Sequence, residues 1–299
     1  METQERSLDL LTTITWILTL TVCMAVGALA GCVGYRLALR SRATHVPGFK
    51  DTRLWQPSRL EHRWFNSTTI LVDRQGVDVE SILGVALDDE QIKLLSGAPS
   101  GSTVTLEYRG AADWARHHTG TDQPPPGLYF FVRGPCLVPH GSNVVGLYCD
   151  HQGAAGLYLK DILLSEAMPA GAAGRMLIRM ARAGAALGVQ ELRLLAAGGR
   201  NWPNWNGTER WKGYAAWPAY GFNMPLLAET LDIIHQFPHH PADLTRCYTV
   251  RDVLAKPDGA LFWRLAGDGW FMTFDLSSDK TVSVQTLLAK TQMKEASAC

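Results

Sequence analysis

The sequence predicts an α/β (α+β) domain, a mixed central sheet with flanking helices, preceded by one transmembrane helix. Three observations lead there. Short β-branched or apolar segments recur between turn residues from residue 68 to residue 196, as strands do. Gly156 to Ala196 reads as a strand–loop–helix–strand unit, which makes the domain α/β or α+β. Near the N-terminus, Leu10 to Tyr35 contains no charged residue. The expected organisation is a tail over 1–9, a transmembrane helix over 10–37, a juxtamembrane linker over 38–65 and a soluble domain over 66–299.

The hydrophobic run is about 26 residues long, enough to cross a hydrocarbon layer of ~30 Å with some tilt. Trp16 and Tyr35 lie near its ends, where interfacial aromatics belong. Gly27, Ala28, Ala30, Gly31 and Gly34 put small residues on adjacent turns, a pattern of helix-packing faces. Glu2, Glu5, Arg6 and Asp9 precede the run, and Arg36, Arg40, Arg42 and Lys50 follow it. The positive flank is C-terminal, so the soluble domain is expected on the cytoplasmic side of the membrane. Leu29-Ala30-Gly31-Cys32 offers an alternative, because it has the form of a bacterial lipobox. The protein would then be a lipoprotein anchored at Cys32. The acidic n-region argues for the span, as does the helical pattern continuing through Val33–Arg40.

Composition bounds the rest. Hydrophobic residues make up 46% and charged residues 19% of 299, which is globular rather than disordered. Lys+Arg and Asp+Glu balance at 28 each; with no basic field, a nucleic-acid partner is not expected. Cys23 and Cys32 lie in the hydrophobic run, and Cys136, Cys149 and Cys247 have no metal-like spacing. They read as free thiols.

Along the chain, Pro47-Gly48 and Pro57 mark the linker. Thr68–Asp73 is a short β-branched run, and Thr103–Tyr108 alternates like a half-buried strand. Gln123–Gly127 is a proline-rich loop before the apolar strand Leu128–Val132. Asn143–Tyr148 and Gly156–Leu164 add two strands. A helix follows from about Ala172 to Leu187, with Met176, Leu177, Met180 and Leu187 at near-helical spacing. Gly188 stops it and Glu191–Ala196 is a further strand.

The chemistry concentrates between Leu157 and Phe222. Pro169-Ala170-Gly171-Ala172-Ala173-Gly174-Arg175 is a small-residue turn opening the helix. Such a turn leaves backbone N–H groups unpaired at the positive end of the helix dipole, where a pyrophosphate can approach. With its surroundings it resembles the GNAT (GCN5-related) N-acetyltransferase family, in a divergent group similar to GNAT-like domains of phage and toxin-type bacterial proteins. Met168–Ala173 fits the family's turn of Arg/Gln-x-x-Gly-x-Gly/Ala without its Arg or Gln; Pro169–Gly174, one residue on, fits its length, also without the Arg or Gln, but puts Ala172 at the inner Gly. Leu187-Gly188-Val189 with Glu191–Leu195 matches the helix end and following strand, and Gly221-Phe222 sits where the family has Gly-Phe. Gly213–Phe222 and Trp270-x-x-x-Phe274-Asp275-Leu276-Ser277 look similar to the divergent group.

The resemblance implies an acyltransferase that uses acetyl-CoA or another acyl-CoA and an amine acceptor of unknown kind. It implies cofactor binding by Leu163, Leu164, Ala170, Gly171, Ala172, Ala173, Gly174 and Arg175. Strand N–H groups around Leu163 and Leu164 would polarise the thioester carbonyl, and Asp161 or Glu166 would take the amine proton. Trp217 stands where the family has the tyrosine acid, and an indole does not titrate usefully. Tyr220 and Tyr214 are the nearby substitutes. The alternative is a GNAT-like domain without catalysis, serving as a binding or effector module at the membrane.

Other clusters carry less. Trp202, Trp205, Trp211 and Trp217 form an aromatic-rich segment that covers an acyl or apolar substrate, binds sugar or peptide, or pins a long loop to the domain by its indoles. Cys149-Asp150-His151 are neighbours in the chain, which seldom form a triad. His235, His239 and His240 have no acidic or cysteine partner at ligand spacing, so no metal is expected. Asn66-Ser67-Thr68 and Asn206-Gly207-Thr208 are glycosylation sequons, relevant only to a lumenal domain.

Overall fold

The computed structural model describes residues 56–115, 123–150, 152–202, 211–236 and 243–296. The expected tail, membrane span and lipobox lie outside these residues, as do linker positions before 56. Among the described residues, no helix is long and apolar enough to cross a membrane.

Seven strands form one sheet in chain order: β1 (Leu71–Asp73), β2 (Thr103–Arg109), β3 (Gly127–Arg133), β4 (Asn143–Cys149), β5 (Ala155–Asp161), β6 (Glu191–Leu195) and β7 (Phe271–Asp275). The run from β2 to β5 is antiparallel. β1 pairs parallel to β2 and β5 parallel to β6, while β7 closes the sheet antiparallel to β6. The expected mixed sheet with flanking helices is therefore present. Helices α1 (Arg59–Trp64), α2 (Val79–Leu83), α3 (Asp89–Leu95), α4 (Ala111–Ala115) and α5 (Ala172–Ala186) precede β6. After it come α6 (Gly213–Ala216), α7 (Ala228–Gln236), α8 (Val250–Leu254), α9 (Gly259–Ala266) and, beyond β7, α10 (Val282–Ala296).

The period of two along each strand divides the sheet into two faces. Leu128, Phe130, Leu147, Leu157, Leu159, Leu192 and Leu194 join one core with Met176, Leu177 and Met180 of α5. The parallel β5–β6 step requires a crossover, and α5 provides it while burying its apolar stripe. On the other face Tyr129, Val144, Tyr148 and Tyr158 pack with Trp114 of α4. Trp114 meets Tyr129 edge-on at 4.8 Å, a favoured aromatic geometry.

Three boundaries differ from the sequence expectation. The packed domain begins before residue 66, because Phe65 is 3% and Glu61 4% exposed. Ser58 caps α1, and Glu61 pairs with Arg182 on α5. Thr68 and Thr69 belong to a 3-10 turn rather than to β1, since the Asn66 side chain accepts from the Thr68 N–H and so competes with the strand ladder. The strand expected to reach Leu164 ends as β5 at Asp161.

Candidate functional site

The end of β5 creates the site. Val145 opposes Leu159 and Val144 opposes Asp161, so Lys160 is an extra residue in the strand. Such a bulge bends its strand and leaves the inserted residue outside the ladder. Beyond it the chain stays with β4: the Leu163 N–H donates to Asn143 Oδ1 at 2.6 Å, and Leu164 bridges Leu137. β6 goes the other way, and the Ala196 N–H donates to the Trp270 carbonyl at 3.0 Å. The parallel pair, in register from Gly156–Glu191 to Leu159–Leu194, therefore parts at its C-terminal end.

A cavity of about 600 Å³ fills the opening. Residues 158–163 of β5 and its extension form one wall, with Leu195 and Ala197 on the β6 side. Trp202, Trp211 and Trp217 supply three indoles, and Gly213 and Ala216 complete the roof. The Trp202 Nε1–H donates to the Gly269 carbonyl at 3.2 Å. Just before it, the Asn201 N–H donates to Asp268 Oδ1 at 2.9 Å. Trp202 is thus pinned to the domain and also lines the cavity; Trp205 lies outside the described residues.

Among the described residues, the charged ones in the lining are Lys160, Asp161 and Lys212. Successive side chains of a regular strand point to opposite faces; at the bulge, Lys160 Nζ reaches Asp161 Oδ2 at 2.7 Å. Lys212 is exposed at the rim, and no carboxylate pairs with it among the described residues.

The expected site residues separate into groups. Asp161 and Leu163 line the cavity, as does Trp217. Glu166 is exposed and is not part of the lining. The Leu163 N–H is held by Asn143, so it is not free to polarise a ligand. Tyr214 is buried and its hydroxyl donates to the Arg264 carbonyl at 2.7 Å; this commitment, together with its absence from the lining, removes it as an acid. Tyr220 packs instead on the start of α5. Its ring would stand 3.4 Å from a Cβ at Gly174, with the Thr291 hydroxyl of α10 closer still at 2.8 Å.

The small-residue turn lies behind this contact. Gly171 is the N-cap of α5 with φ +91°, and no side chain caps it. Ala170 is exposed and Ala173 half-buried, whereas Gly171, Ala172 and Gly174 are buried. Among the described residues no acceptor takes the N–H groups of Ala173 and Gly174. Arg175 is only 2% exposed, so it is a packed helix residue rather than a free arm.

Asn143, Lys160 and Lys212 escaped sequence reasoning. The signal for Lys160 was present: apolar residues alternate at 157 and 159, then slip to 162, 163 and 164, as a bulge requires. Asn143 left no periodic trace. No group of three or more His, Cys, Asp or Glu side chains able to hold a metal occurs among the described residues. His235 is exposed, and His151, His239 and His240 lie outside them.

Compared with protein-family models, with curated proteins and with solved structures, the chain gives no match.

Proposed function

We propose that the protein is a membrane-anchored, GNAT-like acyltransferase that moves an acetyl or other acyl group from CoA to an amine. The observation that carries the reading is the parting of β5 and β6 around a cavity with a carboxylate in its wall. Small-molecule sites favour openings at the carboxyl ends of parallel strands. The turn at Ala170–Gly174 fits a pyrophosphate, since its side chains are small and the N–H groups of Ala173 and Gly174 are unused. A helix N-terminus with free donors is an anion site.

In this reading the acyl carbonyl lies near the bulge, where backbone released from the ladder at Lys160 offers a donor to the carbonyl oxygen. The neutral amine nitrogen attacks the thioester carbon. The C–N bond forms, the C–S bond breaks, and the amine proton passes to Asp161. CoA leaves as thiolate and takes a proton from Tyr220 or from water. Tyr220 is the remaining phenol beside the turn.

Trp217 supports a second reading, a GNAT-like binding or effector module without catalysis. It puts an indole in the cavity where the resemblance calls for the tyrosine acid.

Calorimetry of the full-length chain in detergent with acetyl-CoA separates these readings from a chain that binds no CoA. Binding that Gly171→Trp abolishes is the expected result. Absence of heat at millimolar ligand would sink the acyltransferase, and binding without turnover on any amine would select the module.

A further inference from the structure

Resting on the acyl-transfer reading, we infer that the acceptor is a small amino acid whose carboxylate sits at Lys212 and whose apolar side chain lies among the indoles of the cavity. The charge balance of the wall is the first argument. Lys160 and Asp161 neutralise each other at 2.7 Å, which leaves Lys212 as the uncompensated charge among the described lining residues. An amine attacks only in its neutral form. A simple amine in that form carries no charge and gains nothing from Lys212. A polyamine is repelled by it. An amino acid with a neutral amine carries one negative charge, the complement of this wall.

The shape and chemistry of the remaining surface suit an apolar side chain. Trp202, Trp211 and Trp217 present indoles, and Leu159, Ile162 and Leu195 present aliphatic groups. Flat aromatic side chains take apolar bodies by offset or edge contacts. At about 600 Å³ the cavity matches small-molecule sites rather than a groove for a polypeptide. Asp161, paired with the Lys160 ammonium, lines the same cavity as Lys212, so an acceptor with its carboxylate on Lys212 shares the cavity with a carboxylate able to receive the amine proton.

The test is calorimetric titration of the full-length chain in detergent micelles with L-phenylalanine, phenethylamine and 3-phenylpropionate. L-Phenylalanine is expected to bind about tenfold or more tighter than phenethylamine, as one charge-assisted contact provides. Lys212→Gln should erase that preference, and Lys212→Arg should retain it. Equal binding of phenylalanine and phenethylamine overturns the inference, as does a preference that survives in Lys212→Gln, or no binding of any of the three. Acetyl-CoA is titrated separately. If it fails to bind while the phenylalanine preference holds, the acyl-transfer reading falls and the amino-acid site stands.

Discussion

Tyr148 reaches across Gly156 to donate its hydroxyl to the Glu191 carboxylate at 2.5 Å. Tyr148 on β4 opposes Gly156 on β5, which opposes Glu191 on β6. The middle strand has no side chain at that position, so the ring lies over its backbone. Burial pushes the phenol well above its ordinary value, and the neighbouring Glu191 carboxylate pushes it further. The next row repeats the device, with Gly146 between Tyr129 and Tyr158. Tyr158 also lines the cavity, so this tyrosine layer packs directly against the site.

Gly156→Val should therefore destabilise the fold. A Cβ at Gly156 would stand 2.5 Å from the Tyr148 ring, and overpacking of this kind costs about 1–3 kcal/mol. Urea unfolding monitored by circular dichroism reads the shift in midpoint. A midpoint unchanged from the parent would mean that the ring has room to move aside.

A second prediction concerns the domain's start. Arg179 is buried and donates to the Ala98 carbonyl at 2.8 Å and to the Ser67 hydroxyl at 2.9 Å. Burial lowers its guanidinium to about 10, partly offset by the carboxylates of Glu61 and Glu90. Arg182 beside it pairs with Glu61. Glu61→Ala leaves two arginines with less compensation, and breaking a buried pair costs about 3–5 kcal/mol. Arg182 is 23% exposed, so water moderates this to about 2 kcal/mol. Thermal unfolding of Glu61→Ala should show the loss, whereas a true linker residue would leave the transition where it was.

How much of this was legible in the sequence follows from where the period of two survives. β2, β3, β4 and β6 alternate or run apolar between turns, and α5 carries its stripe at helical spacing, so these strands and that helix are legible directly. Helices α2 and α3 could not, because each is too short for a periodic face and is held by caps at Asp78 and Asp88. β7 lies within the Trp270–Ser277 stretch, whose sequence carries a resemblance but no strand pattern. Its pairing with β6 is long-range, and no local pattern records it. The cavity depends on β5 and β6 following different neighbours, a relation between segments that a linear reading does not contain. The Asp161–Lys160 pair follows from the bulge, and Lys212 joins the same cavity while bridging Gly198 beyond β6.

A third prediction is a pH dependence. Thr249 caps α8 and Asp252 closes a capping box by accepting from the Thr249 N–H at 2.9 Å. Burial works against the Asp252 charge, but the N–H groups of Tyr248 and Thr249 and the Thr249 hydroxyl outweigh it and hold the carboxyl below its ordinary 3.8. A carboxyl whose native value is depressed contributes stability above its unfolded value and loses it as pH falls through the native one. Parent stability should thus drop below about pH 4 by an amount that Asp252→Asn no longer shows. At neutral pH, Thr249→Ala should cost about 1 kcal/mol through loss of the cap. Denaturant midpoints measured from pH 7 to pH 2 check both, and parallel pH profiles for parent and Asp252→Asn would refute the assignment.

The last prediction separates two carboxylates that the sequence left equivalent. Asp161 lines the cavity and Glu166 does not. Asp161 is 40% exposed at its side chain in the pair with Lys160, and an exposed pair contributes at most about 1 kcal/mol. Asp161→Asn should therefore fold normally and, under the proposed acyl transfer, lose the proton acceptor, lowering kcat/KM for acetyl transfer by about 10²-fold. Glu166→Gln should leave kcat/KM unchanged, since its side chain stands in solvent outside the cavity. Steady-state acetyl transfer to the amine acceptor, with thermal unfolding of each variant beside it, gives the comparison. The reverse order, with Glu166→Gln inactive and Asp161→Asn active, would move the reacting amine out of the opening between β5 and β6. Equal activity in both variants would leave the amine proton to water and reduce the Lys160–Asp161 pair to a wall of the cavity.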